Sequence, residues 1–285
     1  MMHSILVSTS ELADRLDESD WVVVDCRFSL DDTERGRRDY LQAHIPGAVY
    51  AHLDEHLSGP IVPGETGRHP LPAVDVVAQK LGAWGIGAGV QVVVYDDNTG
   101  GPAARLWWIL RWLGHDGVAV LNGGWKQWSG EGRPTRAGEE QSTPRIFTPR
   151  PRPEMVADVD VVQAMGADPT QRLVDSRSRE RYLGELEPID PVAGHIPGAF
   201  CAPYLDNVGA DGRFRPAEEL RARFEAVLDG LGPAQAVFYC GSGVTAANNL
   251  LAMAYVGLEG ARLYAGSWSE WITDPQRPVA RQEGQ

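Results

Sequence analysis

Short apolar runs rich in β-branched residues alternate with amphipathic stretches along the chain. The runs predict buried strands, and the stretches with apolar residues three or four positions apart predict helices. In the first half we expect strands at Val22–Asp25, Ala48–Tyr50, Val90–Tyr95 and Val118–Leu121, and helices near Ser8–Leu16, Ala73–Trp84 and Ala103–Leu113. In the second half we expect strands at Leu173–Asp175, Ala199–Cys201, Ala236–Tyr239 and Ala261–Tyr264, and helices near Val159–Met165, Ala217–Leu228 and Ala247–Val256. This alternation predicts an α/β fold of mostly parallel sheets flanked by helices.

The chain also contains an internal repeat. Three segments of the first half match three of the second in the same order: Val22–Arg27 with Arg172–Arg177, Ala43–Ala48 with Gly194–Ala199, and Gly123–Trp128 with Gly266–Trp271. The offsets lie between 143 and 151 residues, which indicates a duplicated domain. We therefore predict one domain at 1–130 and a second at 157–285. The residues 131–156 between them are rich in closely spaced prolines, which predicts an extended linker.

The strongest candidate for chemistry is the segment from Cys240 to Ala246, between the predicted strand Ala236–Tyr239 and the predicted helix Ala247–Val256. Amides of such a turn and the positive end of the helix would converge on the sulfur of Cys240, which favours the thiolate. A buried structural cysteine is the alternative. Gly241 and Gly243 argue against it, because glycines supply backbone freedom and not packing volume.

The first domain carries Asp96 after Tyr95, where the second carries Cys240 after Tyr239. A carboxylate cannot store a sulfur atom. We therefore predict that the first domain is catalytically silent.

Composition narrows the range of functions. The formal net charge is −13 and the isoelectric point is near 5.0, which argues against a nucleic-acid or anionic-membrane partner. The three cysteines have no paired spacing, so a disulfide framework is not expected and a reducing compartment is. No secretory signal or run of about 20 apolar residues is visible. These features predict a cytoplasmic protein.

Taken together, the motifs resemble those of the tandem-domain rhodanese sulfurtransferases. The two Asp-x-Arg strands, the two His-Ile-Pro-Gly-Ala turns, the Cys240 loop and the Gly266–Trp271 segment stand in the order of that family. The resemblance implies two α/β domains with an active site at their interface. It also implies a ping-pong reaction, in which Cys240 takes a sulfane sulfur as a persulfide and passes it to cyanide or a thiol. Cysteine-dependent phosphatases are disfavoured, because they close a longer loop with an arginine.

The resemblance also suggests the donor. Members that prefer thiosulfate place basic residues after the cysteine, whereas Gly241 and Ser242 resemble the neutral loop of 3-mercaptopyruvate sulfurtransferases. Arg181 matches the substrate-facing arginine of the family, where a guanidinium suits the donor carboxylate. A second arginine expected farther on is absent, and Ile189 and Asp190 stand there. We therefore predict 3-mercaptopyruvate as the donor and keep thiosulfate as the alternative.

The remaining site residues follow from the same comparison. The amides of Gly241, Ser242, Gly243, Val244 and Thr245 are expected to cradle the sulfur anion. His44 is a candidate for assisting proton transfer, although His195 opens the equivalent turn and a shared structural role explains both.

No cofactor and no metal are expected. His52 and His56 have helical spacing but lack an evident third ligand. The predicted partners are a small sulfur donor, a thiol or cyanide acceptor and a thioredoxin-like reductant. A non-turnover persulfide carrier for a partner protein is the alternative from another functional class.

Overall fold

The computed structural model describes residues 2–97, 100–166 and 168–282, which form two compact units. The first unit comprises Met1–Gly59, Pro72–Arg152 and Val208–Phe214, and the second comprises Pro60–Leu71, Pro153–Asn207 and Arg215–Gln285. Each unit therefore includes a short segment from the half of the sequence that mainly forms the other unit. The continuous boundaries at 130 and 157 stay a prediction, and these exchanged segments are a feature that the repeat alone does not reveal.

The first unit contains a five-stranded parallel sheet. The strands are β1 (Leu6–Val7), β2 (Trp21–Asp25), β3 (Val49–Tyr50), β4 (Gln91–Tyr95) and β5 (Val118–Leu121), in the order β1-β5-β4-β2-β3. The helices are α1 (Thr9–Ala13), α2 (Arg35–Gln42), α3 (Leu53–His56), α4 (Val74–Ala83), α5 (Gly101–Trp112) and α6 (Gly124–Gly130). The central strand β4 is buried throughout, as expected for a sheet covered on both faces.

The second unit repeats this arrangement. Its strands are β6 (Val156–Ala157), β7 (Arg172–Asp175), β8 (Phe200–Cys201), β9 (Ala236–Tyr239) and β10 (Arg262–Tyr264), in the order β6-β10-β9-β7-β8. The helices are α7 (Val159–Met165), α8 (Arg179–Leu183), α9 (Ala217–Leu228), α10 (Ala246–Tyr255) and α11 (Ser267–Trp271), with 3₁₀ turns at Pro153–Met155, Tyr204–Asn207 and Pro233–Gln235. The same strand order in both units confirms the α/β fold and the duplication.

The repeated Asp-x-Arg motif forms a buried ion pair in each unit. The guanidinium of Arg27 donates to both oxygens of Asp25, and Arg177 does the same with Asp175. Each arginine also donates at 2.6 Å to a backbone carbonyl just before the His-Ile-Pro-Gly turn. Burial raises the pKa of Asp25, although its hydrogen bonds with Arg27 oppose that shift. The motif is therefore a structural link between the second strand of each sheet and the turn.

The two histidines of the repeated turns have matching contacts. Nδ1 of His44 donates to the carbonyl of Tyr40, and Nδ1 of His195 donates to the carbonyl of Tyr182, both at 2.7 Å. Each imidazole stacks on the tyrosine whose carbonyl it contacts, and both histidines are completely buried. A shared structural role accounts for both residues. The assisting role of His44 stays a prediction that these contacts do not support.

The strands and helices predicted from the pattern are present, and most of their ends lie within two residues of the prediction. The elements that were not predicted are the strands β1 and β6 and the helices α2, α3, α6, α8 and α11. The expected linker has little regular structure, but its first part packs on the first unit. Arg145 N–H donates to the Gly82 carbonyl, and Arg150 N–H donates to the Leu113 carbonyl. The linker assignment of 131–156 stays a prediction, and these contacts with the first unit were not part of it.

Candidate active site

Cys240 lies directly after β9, the central strand of the second sheet, and Thr245 is the N-cap of α10. This is the carboxyl edge of a parallel sheet, where ligands of such folds bind. The amide of Gly243 donates to Sγ of Cys240 at 3.1 Å, and the start of a ten-residue helix adds a positive potential. Cys240 itself is 2% exposed. The loop therefore surrounds the sulfur closely and directs a backbone donor towards it.

Gly243 has the backbone conformation that this donor requires. Its φ is +76°, and a methyl group on its Cα would overlap the carbonyl oxygen of Ala265 and lie 2.8 Å from the Ala265 Cα. Only glycine adopts such a conformation without strain and fits so close to a neighbouring backbone. The positive φ and the close approach to Ala265 thus explain why residue 243 is a glycine.

The Gly266–Trp271 segment holds the loop from its other side. The amide of Cys240 donates to Ser267 Oγ, while the amides of Trp268 and Ser269 donate to the carbonyls of Cys240 and Gly241. Within the described ranges, Gly243 is the one residue whose amide donates to the cysteine sulfur. The wider cradle predicted from Gly241, Ser242, Val244 and Thr245 stays a prediction for the persulfide, whose outer sulfur would extend farther.

The other two cysteines have environments that oppose a thiolate. Burial raises the pKa of Cys26 well above its usual value, and the charges of Asp25 and Asp96 add to this effect. Burial, with the Asp175 carboxylate, raises the pKa of Cys201 to about 12. Because the thiolate is the reactive form, both are poor nucleophiles at neutral pH.

Segment 60–71 brings two further residues to the Cys240 loop. Nδ1 of His69 lies 2.7 Å from Oγ of Ser242, and both residues are buried. Next to it, the amide of Arg68 donates to Ser269 Oγ at 2.9 Å. Gly67 permits this docking, because a methyl group there would lie 2.7 Å from Ser269 Oγ. The second unit therefore has a serine–histidine pair, and the serine of this pair lies two positions after Cys240 in the sequence.

Arg181, the predicted substrate-facing arginine, lies on α8, and its side chain reaches the same loop. Its guanidinium is 3.5 Å from the position that a methyl group on Gly241 would occupy. Glu187 accepts from Nε and Nη2 of Arg181, and Asp190 accepts from Nη2 at 2.9 Å. Although burial would raise the pKa of Glu187, the bond from Arg181 and those from nearby amides hold it below its usual value. Arg181 is thus a fixed cation beside the loop.

Arg68 and His69 were not among the predicted site residues; they lie 172 and 173 positions before Cys240 and Ser242, respectively. One signal was present in the repeat itself. The first copy has 46 residues from Tyr50 to Tyr95, whereas the second has 39 from the equivalent Cys201 to Tyr239. The additional length of the first copy falls where this segment leaves the first unit.

The comparisons with known proteins agree with this geometry. The sequence pattern of the rhodanese-like domain family matches residues 8–131 and 158–274. The chain belongs to the rhodanese-like family. A Pseudomonas aeruginosa protein described as a "Probable 3-mercaptopyruvate sulfurtransferase" is 50% identical over 281 residues, covering 98% of this chain and 99% of that protein.

Two other relatives represent both donor types. The bovine thiosulfate sulfurtransferase is 34% identical over 270 residues, covering 92% of this chain and 89% of its own. The solved structure of the 3-mercaptopyruvate sulfurtransferase from Leishmania major superposes with a TM-score of 0.84 at 33% identity, covering 96% of this chain and 75% of that one. The rhodanese-like protein is therefore a sulfurtransferase. No helix in the described ranges has the length and apolar character needed to span a bilayer, and the cytoplasmic location stays a prediction.

One group of side chains in the first rhodanese-like domain has the spacing of metal ligands. Single atoms of Glu34, His52 and Glu55 lie within 4.8 Å of one another. The ring of His52 is already engaged, because Nδ1 accepts from the amides of Asp54 and Glu55 while Nε2 donates to the Thr33 carbonyl at 3.0 Å. His52 therefore acts as the N-cap of α3.

Asp96 of the first rhodanese-like domain sits where Cys240 sits in the second, since Tyr95 and Tyr239 have equivalent partners in the two sheets. Its Oδ1 accepts from the Gly100 amide and its Oδ2 accepts from the Ala103 amide, both at 3.0 Å. The loop before α5 thus holds an internal carboxylate in the position that the Cys240 sulfur occupies in the second domain.

We expect Asp96→Asn to lower the free energy of unfolding by about 1–3 kcal/mol, because the carboxamide turns an N–H group towards one of these amides. Sulfur transfer by the folded enzyme should not change. Urea denaturation and a steady-state assay measure the two effects. Asp31→Asn is the matched control, because Asp31 is exposed and hydrogen-bonds to nothing within the described ranges. An equal loss of stability in both variants would contradict this role of Asp96.

Proposed function

We propose that this rhodanese-like protein transfers sulfur from 3-mercaptopyruvate to a thiol or cyanide through a persulfide on Cys240. The thiolate attacks the thiol sulfur of the donor, so that an S–S bond forms and the C–S bond breaks. The electron pair of the broken bond remains on the donor as the enolate of pyruvate. The proton of the donor thiol ends on the methyl carbon of pyruvate, and the outer sulfur remains on Cys240 as an anionic persulfide.

The observation that carries this proposal is the 2.7 Å contact between His69 Nδ1 and Ser242 Oγ, beside Cys240. An enolate needs a hydrogen bond at its oxygen and a proton at its carbon, and a serine–histidine pair supplies both. Thiosulfate instead leaves sulfite, which is a stable anion near neutral pH and needs neither. The serine–histidine pair would therefore assist the departure of the pyruvate enolate, whereas the departure of sulfite does not require it.

The second half of the reaction returns the enzyme to its starting state. The acceptor attacks the outer sulfur of the persulfide, and the Cys240 thiolate leaves. The Gly243 amide and the positive end of α10 would stabilise both anions. Cyanide yields thiocyanate, whereas a thiol acceptor yields a new persulfide. A thioredoxin-like reductant is our proposed protein partner for this step.

Steady-state assays with both donors and cyanide test the choice of donor. We expect a higher kcat/KM for 3-mercaptopyruvate than for thiosulfate. The reverse order would make thiosulfate the preferred donor, in line with the bovine relative, and would leave the role of Cys240 intact.

We further expect His69→Asn and Ser242→Ala each to lower kcat/KM for 3-mercaptopyruvate by about 10²-fold or more, the usual contribution of general acid–base catalysis. With thiosulfate the loss should stay below about ten-fold, since that leaving group needs no proton. Thiosulfate is the internal control, because it uses the same cysteine and the same acceptor step. Equal losses with both donors would show that the pair only supports the loop.

A further inference from the structure

Two guanidinium groups from distant segments border the space above Gly241. A methyl group on Gly241 would lie 3.2 Å from Arg68 Nη2 and 3.5 Å from Arg181 Nη2. We refer to Arg68 and Arg181 as the arginine clamp. Both near atoms are the ends of side chains, and glycine keeps the space between them and the loop open. An anion next to Cys240 would therefore meet two cations at once.

Asp190 joins the two halves of the clamp. Its Oδ1 accepts from Arg68 Nη1 at 2.6 Å, and its Oδ2 accepts from Arg181 Nη2 at 2.9 Å. The Asp190 side chain is 2% exposed, whereas that of Arg68 is 24% exposed. The carboxylate thus lies on the protein side of the clamp, and the guanidinium groups lie between it and the space above Gly241.

The clamp retains donors for a ligand. Nε of Arg68 is buried and has no hydrogen-bond partner in the part of the chain that the structure describes. Nη1 of Arg181 donates to no described residue either, and it lies 3.6 Å from the position of a methyl group on Gly241. A planar carboxylate matches the fork geometry of guanidinium groups. The Nε of Arg68 would gain most from a hydrogen bond to such a ligand, because a buried donor without a partner is costly.

The charge of the cluster limits which anion it accepts. Three guanidinium groups face three carboxylates in one connected network: Arg68, Arg177 and Arg181 with Asp175, Glu187 and Asp190. The formal charges cancel, so a monoanion adds one negative charge and a dianion adds two. Since the repulsion from Asp190 scales with the charge of the ligand, it penalises thiosulfate more than a monocarboxylate.

We propose that Asp190 is a specificity-determining positioning residue. It holds Arg68 and Arg181 in place for the single carboxylate of a 2-oxo acid thiol, and its own charge makes the clamp a poor site for a small dianion. This inference rests on the proposed function, in which Cys240 receives sulfur from such a donor. Asp190 does not touch the reacting atoms; it acts through the two arginines.

The experiment measures kcat and KM for 3-mercaptopyruvate and for thiosulfate, with cyanide as acceptor, in wild type and Asp190→Asn. We expect the ratio of thiosulfate kcat/KM to 3-mercaptopyruvate kcat/KM to rise about ten-fold or more, mainly through a lower KM for thiosulfate. Asp190→Glu keeps the charge and should keep the wild-type ratio. Asp274→Asn is the matched control, because it removes one exposed carboxylate of the same unit and should not change the ratio.

An equal change of kcat/KM for both donors in Asp190→Asn would overturn the proposal, since a merely structural role affects both alike. If that variant does not fold, Arg68→Gln gives the complementary test. It makes the cluster more negative and should reduce thiosulfate use more than 3-mercaptopyruvate use; equal losses again overturn the proposal. The wild-type preference decides the donor, whereas the change of ratio decides the role of Asp190, so either proposal can fail alone.

Discussion

Replacing Cys240 with serine should lower sulfur transfer by at least about 10³-fold with either donor. The serine hydroxyl cannot accept a sulfur atom to form a persulfide, and at neutral pH it is protonated. Because the substitution exchanges one atom within a buried loop, the fold should persist. Steady-state thiocyanate formation measures the loss, and thermal unfolding checks the integrity of the fold.

Intact mass spectrometry identifies the carrier directly. After addition of a donor without acceptor, wild type should gain about 32 Da, the mass of one sulfur atom, and Cys240→Ser should not. Cys201→Ser is the matched control and should gain the same mass as wild type, because the high pKa of Cys201 leaves it as the thiol. A sulfur adduct on Cys240→Ser would assign the carrier to another cysteine.

The same mass measurement separates the enzyme from the persulfide carrier considered as its alternative. Both would form the adduct on Cys240, but only the enzyme requires the donor-binding residues for turnover. Arg181→Ala should therefore lower the rate of thiocyanate formation from 3-mercaptopyruvate. Unchanged turnover in this variant would favour the carrier.

Local sequence was sufficient to predict the fold class, because strands such as Gln91–Tyr95 are short apolar runs that are buried throughout, and helices such as Ala217–Leu228 have a clear helical period. It also indicated the loop of Cys240, where one short segment contains the proposed nucleophile, the glycines and the start of the helix. Each of these features depends on neighbours within a few positions. Arg181 was proposed only from the resemblance to the rhodanese sulfurtransferases, because a single arginine has no such signal in the local sequence.

The His69–Ser242 pair could not be predicted in this way, because it joins residues 173 positions apart. The segment that contains His69, Gly67-Arg68-His69, shows no hydrophobic period, and this segment falls within the first copy of the repeat. Assigning it to the first domain was therefore the natural expectation. The arginine clamp could not be predicted for the same reason. In the sequence, Asp190 stands where a second arginine is expected, and the structure shows that Arg68 of segment 60–71 places a cation there instead.

Equivalent loop positions of the two domains carry different acceptors for loop amides. In the first domain the carboxylate of Asp96 accepts two loop amides, and in the second Cys240 Sγ accepts the Gly243 amide. A permanent carboxylate stabilises its loop without chemistry, whereas a sulfur atom can alternate between thiolate and persulfide. We expect the identity of this one side chain to determine which domain can react.

Because the backbone conformation of Gly243 directs its amide towards Cys240, substitution of Gly243 should have a large effect on sulfur transfer. Gly243→Ala should lower kcat/KM by about 10²-fold or more, comparable to the removal of one anion-stabilising donor in other enzymes. The left-handed conformation costs an alanine roughly 1–2 kcal/mol. The overlap with Ala265 adds about 1–3 kcal/mol, because the loop has to move and carries the amide away from the sulfur.

The matched control is Gly230→Ala in the same unit. Gly230 has a similar φ of +83°, but a methyl group there meets no heavy atom within 4 Å. It should therefore show only the conformational cost in thermal or urea unfolding, with unchanged sulfur transfer. The difference between the two variants isolates the contribution of the close approach at Ala265. Full activity in Gly243→Ala would mean that the amide is not needed to stabilise the sulfur anion, and the physical basis proposed for the Cys240 persulfide would be lost.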